Sequence, residues 1–352
     1  MSRNPASAKD VAELAGVSRA AVSRCFTPGA SISPETRARI LRAADTLGYQ
    51  VNRLASGLIR NESGIVALIG AEVATPYRGQ LLAALTAALQ RAGKVALVIN
   101  TDRSDESVER ALRHAISYRT DAAIFLSGMP ARSLAETCQR NGMRLVLINR
   151  DGGHPGSLLV RLSDEQAGRR AVAVLRAAGC KRLALASSLN GTPSLVGREK
   201  GFLAAIREAG IDGCEARLGA TSYETGLELG MSLLSRPDRP DGIFCTTDLM
   251  ACGVMDAARW RLGLRVPDDL SVISFDDIPQ AGWEGYDLTT FQQPVEEIAA
   301  QSLDWLLSSP VEDGAVELVL EARLKMRGSV RRSFLPDARS RQTEGDAAIR
   351  SD

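Results

Sequence analysis

The chain of 352 residues contains two histidines, His114 and His154, and six cysteines with no Cys-x-x-Cys pair among them. Histidine acid–base chemistry and a Cys/His metal site therefore have little material, and no metal or cofactor is expected. The cysteines (Cys25, Cys138, Cys180, Cys214, Cys245, Cys252) are scattered. Cys25, Cys245 and Cys252 stand in apolar sequence, where free buried thiols are common, so a reduced cytoplasmic protein is expected. No stretch approaches the ~20 apolar residues needed to span a bilayer. The opening MSRNPASAKD has no apolar run, so no secretory signal is expected. No GxGxxG, GxxxxGKS or GxxxxGKT follows an apolar run, and no GxSxG occurs, so a nucleotide fold has no phosphate loop and an α/β-hydrolase no nucleophile elbow. Catalysis is the weaker class.

What is present begins with residues 7–48. Ser7 can cap a first helix, with Asp10 near its exposed N–H groups; Val11, Leu14 and Ala15 then share a face, and Gly16 is a natural stop. Ser18 caps a second helix, with Ala21, Val22 and Cys25 as its apolar side and Arg19, Ala20, Ser23 and Arg24 outside. Two short helices joined by a Gly-containing turn, the second with a small and basic outer face, are the signature of a helix-turn-helix. Ser33 and Pro34 open a third helix, with Ile40, Leu41, Ala44 and Leu47 as its predicted buried face and Gly48 as its stop. Residues 1–60 carry nine Lys/Arg against four acids, a net +5, in a chain whose overall charge is +1. A positive excess gathered at one end of a near-neutral protein points to a polyanion partner there, and double-stranded DNA fits the motif.

Residues 50–62, QVNRLASGLIRNE, form a linker. Leu54, Ala55 and Leu58 could make one side of a single short helix, but Gly57 lowers its propensity by about 1 kcal/mol relative to Ala. The segment reads equally as a spacer and as an element that folds on DNA with a leucine wedged into the minor groove.

From Gly64 apolar runs alternate with amphipathic helices. GIVALIG (64–70), KVALVIN (94–100), DAAIFLS (121–127) and RLVLIN (144–149) form one set. After a Gly/Pro-rich break at 151–157, RLALAS (182–187), a weaker strand near 215–219, GIFCTT (242–247) and LSVISF (270–275) form a second. Unalternated Val/Ile/Leu strands separated by helices mean parallel sheets covered on both faces, here two doubly wound lobes. Ligands in such sheets bind beyond the carboxyl ends of the strands, which for two facing lobes means the cleft between them. The candidates there are Thr75, Pro76, Tyr77 and Arg78; Asn149, Arg150 and Asp151; Ser187, Ser188 and Arg198; Thr246, Thr247 and Asp248; and Asp276 and Asp277, with Trp283 as an aromatic platform. Asp, Asn and Arg around an aromatic suit a small polyhydroxylated or anionic ligand. Asp248 serves equally well as an N-cap for the helix after it. Asp276 and Asp277, adjacent on an extended segment, point opposite ways and make no general acid/base couple.

KDVAELAGVSRAAVSR, SPETRARILRAADTLGYQVNRLA, GLRVPDDLSVISFDDIP and LTTFQQP closely resemble the lactose/galactose repressor (LacI/GalR-type) regulators of bacteria, in the same order and over nearly the whole chain. The resemblance implies an all-α helix-turn-helix headpiece (1–49), a hinge (50–62) and an α/β core (63–335) like that of periplasmic sugar-binding proteins. The core's first lobe would span about 63–157 and 291–320, its second about 158–290 and 321–335, with a polar tail at 336–352. It implies a sequence-specific repressor that binds operator DNA as a homodimer, with a sugar or sugar acid in the cleft altering operator affinity. Ser18, Arg19, Ala20 and Arg24 fall where the family's recognition helix meets DNA, and Asn52, Ala55 and Leu58 at its hinge positions; Ser7 and Ser23 complete the expected DNA-contacting set. Tyr77, Arg78, Asn149, Arg198, Asp248 and Asp276 match effector-pocket positions. Gln50-Val51 and Ser56-Gly57 depart from the family's hinge pattern and predict a softer hinge; Arg78 stands where an aromatic is usual, and with Arg198 suggests an acidic ligand. The rival readings are a cytoplasmic small-molecule-binding protein with no DNA role and an α/β enzyme.

Overall fold

The structure, a computed structural model, describes residues 6–27, 29–51, 62–102, 104–308 and 314–332. The chain divides into a helical unit, Met1–Gly64, and an α/β unit, Ile65–Asp352. The hinge residues Asn52, Ala55 and Leu58 and the tail 336–352 lie outside the described residues.

The helical unit contains α1 (Ala8–Ala15), α2 (Arg19–Cys25) and α3 (Pro34–Leu47). Its ends follow from capping chemistry. Ser7 and Asp10 form a reciprocal capping box, Ser18 accepts from the Ala21 amide and Ser33 from the Thr36 amide. Gly16 and Gly48 close α1 and α3 in the left-handed conformation, at φ 61° and 63°. The core is Val11, Ala12, Ala15, Val22, Cys25, Ile40, Ala43 and Ala44, with Phe26 tilted on Tyr49 at 5.8 Å.

Three leucines expected inside are outside: Leu14 is 54 % exposed, and Leu41 and Leu47 are also exposed. At about 100° per residue, Val11, Ala15 and Ala12 span one arc and Leu14 falls beyond its edge, just as Leu41 falls beyond the arc of Ala43, Ile40 and Ala44. Leu47 ends its helix past the packing partners. Two of the basic residues do structural work. Arg37 donates to the Cys25 carbonyl at 2.8 Å, and Arg39 to the Ala15 and Gly16 carbonyls at 2.5 and 3.2 Å, so α3 satisfies the orphaned carbonyls at the ends of α1 and α2.

In the α/β unit, β1 (Ile65–Ala71), α4 (Pro76–Arg91), β2 (Val95–Thr101), α5 (Asp105–Ser117), β3 (Ala122–Phe125), α6 (Arg132–Arg140), β4 (Arg144–Ile148) and β5 (Ser157–Leu162) come first. Then follow α7 (Asp164–Ala177), β6 (Arg182–Ser187), α8 (Pro193–Glu208), β7 (Asp212–Arg217), α9 (Tyr223–Leu234), β8 (Gly242–Cys245), α10 (Asp248–Asp256) and β9 (Ser271–Asp276). The last elements are β10 (Thr289–Gln292), α11 (Val295–Leu307), β11 (Val316–Leu320) and β12 (Arg323–Lys325). They build two six-stranded sheets, in the orders β11-β5-β4-β3-β1-β2 and β12-β10-β9-β8-β6-β7. All pairings are parallel except β10 with β12. The chain passes between the sheets three times: after β5, after β10 and between β11 and β12.

Several boundaries move. Residues 158–162, assigned by sequence to the second lobe, pair with β4 and β11 in the first sheet, and Phe291 and Gln292, assigned to the first lobe, pair with β9 in the second. Helix α8 begins four residues before the expected Gly197, because Pro193 occupies its first turn. KVALVIN is not covered on both faces: β2 is an edge strand, and Val95 and Val98 are exposed. Among the described residues no helix is long and apolar enough to cross a membrane. All six cysteines are free, and five are buried.

Candidate functional site

Two surfaces carry the candidate residues. On the helical unit, Ser18, Arg19, Ala20, Ser23 and Arg24 are exposed along α2, and Ser7 is exposed at the start of α1. With Val22 and Cys25 anchoring the other side in the core, this face of α2 presents guanidinium, hydroxyl and methyl groups that can reach base edges and phosphates.

The α/β unit holds a cavity of about 830 Å³, open mouth included, between its two sheets. Its walls come from the carboxyl ends of strands on either side of the reversal in strand order, β1, β3 and β4 in one lobe and β6, β8 and β9 in the other. Tyr77, Arg78, Asn149, Arg150, Arg198 and Asp276 all line it, together with Thr247, Asn190, Thr221 and Gln293.

Arg198 organises the second-lobe wall. The residue is 2 % exposed, its guanidinium lies 3.5 Å from the centroid of the Phe275 ring, Nε donates to Asp164 Oδ1 at 2.8 Å and Nη1 to the Thr246 carbonyl at 2.9 Å. Asp276 Oδ1 is 3.8 Å from Nη1. Asp276 also accepts from Gln293 Nε2 at 2.7 Å, and its backbone sits at φ 131°, a conformation that costs about 1–3 kcal/mol and persists where the surroundings enforce it. Asp277 turns the other way, to Arg327 at 2.6 Å. On the first-lobe wall Asn149 Nδ2 approaches the Tyr77 hydroxyl at 3.5 Å, while Arg150 and Arg78 both donate to the Leu126 carbonyl. Among the described residues Asn149 Oδ1, Thr247 Oγ1 and Gln293 Oε1 are buried with no hydrogen-bond partner, polar capacity that a side-chain rotation would turn to a ligand.

Burial pushes the Asp164 carboxyl above its usual range against the pull of Arg198. Burial lifts Asp276 to about 7; Arg198 opposes the rise and the Asp248 charge adds to it. Because the folded value exceeds the unfolded one near 3.8, the proton favours the native state. The stability it contributes is complete below that unfolded value and is lost as pH rises through 7. The melting midpoint of the α/β unit should therefore fall between pH 5 and 8, and Asp276→Asn should flatten that slope in a thermal unfolding series.

Seven of the sequence candidates do not line the cavity: Asp151, Ser187, Ser188, Thr246, Asp248, Asp277 and Trp283. Asp248 is fully buried and its carboxylate faces the core, where it accepts from Thr290 Oγ1 at 2.5 Å, from the Ile278 amide at 2.9 Å and from Ser274 Oγ. It does not line the cavity, and the N-cap position is Thr247; its carboxylate instead joins α10 to β9 and β10. Trp283, which follows the short 3₁₀ turn Pro279–Gly282, is 56 % exposed and does not line the cavity, so Tyr77 is the one aromatic among the described lining residues. Conversely, sequence reasoning missed Gln293, Asp164, Asn190 and Thr221. Gln293 stands in LTTFQQP, which marks the segment without marking the residue, and the other three carry no local signal.

The profile of bacterial regulatory proteins of the lacI family matches residues 7–52, and that of the periplasmic binding protein-like domain matches residues 172–330. The chain is 30 % identical over 297 residues to the HTH-type transcriptional regulator DegA of Bacillus subtilis, covering 83 % of this chain and 88 % of that one. This chain belongs to the lacI family of bacterial transcriptional regulators. To the HTH-type transcriptional repressor CytR of Escherichia coli, another regulator of this family, it is 29 % identical over 331 residues, 93 % of this chain and 96 % of the other. The lac repressor dimer bound to operator and the anti-inducer ONPF superposes with a TM-score of 0.82 at 25 % identity, over 93 % of this chain and all of that one. The lacI-family assignment fits a chain that holds both a helix-turn-helix unit and a cavity built from two doubly wound sheets.

Proposed function

We propose that this lacI-family regulator represses transcription by binding a double-stranded operator as a homodimer through α2, and that a small sugar-like or sugar-acid effector in the cleft controls its affinity. The observation that carries the effector half is the Arg198–Asp164–Asp276 group on a wall of a cavity between two lobes. A planar guanidinium flanked by carboxylates offers donors and acceptors at fixed angles to vicinal hydroxyls. An effector shifts the equilibrium between core states only by its differential affinity for them, and the three chain crossovers between the sheets are where the lobes can rotate. The lac repressor structure, which holds operator and ONPF together, supports reading both ligands into one molecule. We place its action in the cytoplasm, in keeping with a DNA partner and six free cysteines.

Gel shifts with DNA from around the chain's own gene test the operator half. Binding should fall steeply with added salt, with a log–log slope of about −0.9 per phosphate neutralised. Arg19→Ala should relax base preference by about 1–3 kcal/mol at one position of each half-site, whereas Arg24→Ala, read as a phosphate contact, should weaken all sequences alike and lower the slope by about one. Binding insensitive to salt would sink the headpiece reading. For the effector half, a thermal-shift screen of sugars and sugar acids should find a compound that raises the midpoint and alters the gel shift.

A further inference from the structure

Two of the chain's three tryptophans stand in the open, and both belong to the second lobe. Trp305 is half-buried beneath the Arg144 guanidinium, which lies 3.9 Å from the centroid of its ring. Trp260 by contrast is 78 % exposed and Trp283 56 %, in a residue type that is highly buried on average. Helix α10 is continued by a π-helical turn, Ala257–Arg261, closed by the Leu262 amide on the Ala257 carbonyl at 3.2 Å. Such a turn takes in one extra residue, which re-aims the side chains around it, and is frequent at functional positions. Ala257 and Ala258 remain in the core, while Trp260 and Arg261 are exposed. Trp283 opens a tight turn in which its carbonyl accepts the Tyr286 and Asp287 amides at 2.9 and 2.8 Å. The two segments are fastened together: Arg259 donates to the Gly285 carbonyl, and the Tyr286 hydroxyl to Asp256 Oδ2 at 3.0 Å. Arg261 and Glu284, each next in sequence to one of the rings, are exposed as well, and neither side chain forms an ion pair among the described residues.

We infer that this face, Trp260 and Arg261 with Trp283 and Glu284, is where a second copy of the chain docks about a two-fold axis. The rings form the centre, and Arg261 of each copy meets Glu284 of the other. This rests on the homodimer reading and names the surface for it. Charge favours a second copy over a different partner. One cation and one anion give a face without net charge that is complementary to itself under a two-fold axis, since each contact is then made twice. Area agrees. The exposed parts of two indole rings come to roughly 300 Å². That is the size of a central hot spot within the ~800 Å² that each partner of a stable pair buries. Tryptophan and arginine are among the residue types that dominate such centres.

Sedimentation of the full chain across a dilution series, read beside acrylamide quenching of tryptophan fluorescence, tests the surface. The parent should be a dimer whose quenching rises on dilution as the pair separates. Arg261→Glu and Glu284→Arg should each raise the dissociation constant about 30-fold or more, and should open the tryptophans to acrylamide at concentrations where the parent is paired. The double variant, with the charges exchanged, should recover most of the affinity, a rescue that damage to folding would not give. Trp260→Glu should dissociate the dimer, whereas Trp260→Phe should retain most of it. A parent dimer whose Arg261→Glu, Glu284→Arg and Trp260→Glu variants stay as tightly paired overturns this surface and leaves the homodimer standing. So do charge variants that dissociate singly with no recovery in the double. A parent that sediments as a monomer at every concentration and still shifts operator DNA overturns the surface and the homodimer reading together.

Discussion

Arg198→Ala is expected to destabilise the α/β unit by about 3–5 kcal/mol, the usual cost of removing one partner of a buried ion pair. The change leaves Asp164 and Asp276 facing each other in the cleft wall without the cation that answers them, and it strips the Phe275 ring of its guanidinium cover. Both carboxylates are already pushed upward by burial, so the variant should relieve the strain by taking up protons near neutral pH. Its stability should consequently recover on acidification from pH 8 to 5 more than that of the parent. Arg198→Lys keeps a charge but cannot reach Asp164 and the Thr246 carbonyl with one ammonium as the planar fork does, and should fall between the two. Urea unfolding followed by a probe in the α/β unit, with the headpiece monitored separately, measures this. An Arg198→Ala protein that melts with its parent would show that the pair carries no structural weight.

The second large effect is expected where no side chain exists. Helices α7 and α8 meet through Gly168 and Gly201: a methyl group built at Gly201 lands on the Glu165 carbonyl, and one at Gly168 on the Arg198 carbonyl. Neither obstacle is the end of a flexible side chain, so the helices themselves must separate. Overpacking of this kind costs about 3 kcal/mol, the upper end of the usual range. The same separation pulls Asp164 on α7 from Arg198 on α8, so Gly201→Ala should lose effector response along with stability. Gly79→Ala in α4 is the contrast, since nothing lies within 4 Å of its added methyl; it should be neutral or raise stability by about 0.4–1 kcal/mol. Equal melting midpoints for Gly201→Ala and the parent would refute the backbone-contact argument.

These residues also show how far the sequence could be read. Caps at Ser7, Ser18, Ser33, Gly16 and Gly48 are local chemistry and appear where their residue types predict. Which leucine of a two-turn helix is inside depends on partners far along the chain, and Leu14 was misplaced for that reason. The strand Ser157–Leu162 was hidden because its apolar run follows a Gly/Pro-rich break and contains Arg161, and only pairing with β4 and β11 identifies it. In the cavity, position at a strand's carboxyl end was legible, whereas the direction of a side chain was not. Thr247 and Asp248 are neighbours, yet the threonine lines the cavity and the aspartate is turned into the core. The close approach of α7 and α8 was equally invisible, since a glycine in a helix says nothing about what crosses it.

The three passages between the sheets bear on synthesis as well as on motion. The first sheet is completed at one edge by β11 and the second at one edge by β12, both drawn from residues 316–325. A ribosome therefore releases all the residues of the DNA-reading helices long before either half of the sensor can close its sheet. Any premature stop ahead of Val316 would leave the α1–α3 unit able to form from its own contacts beside two open-edged sheets. Products truncated there are expected to be aggregation-prone, so the protein senses its ligand only if it has been translated past Lys325.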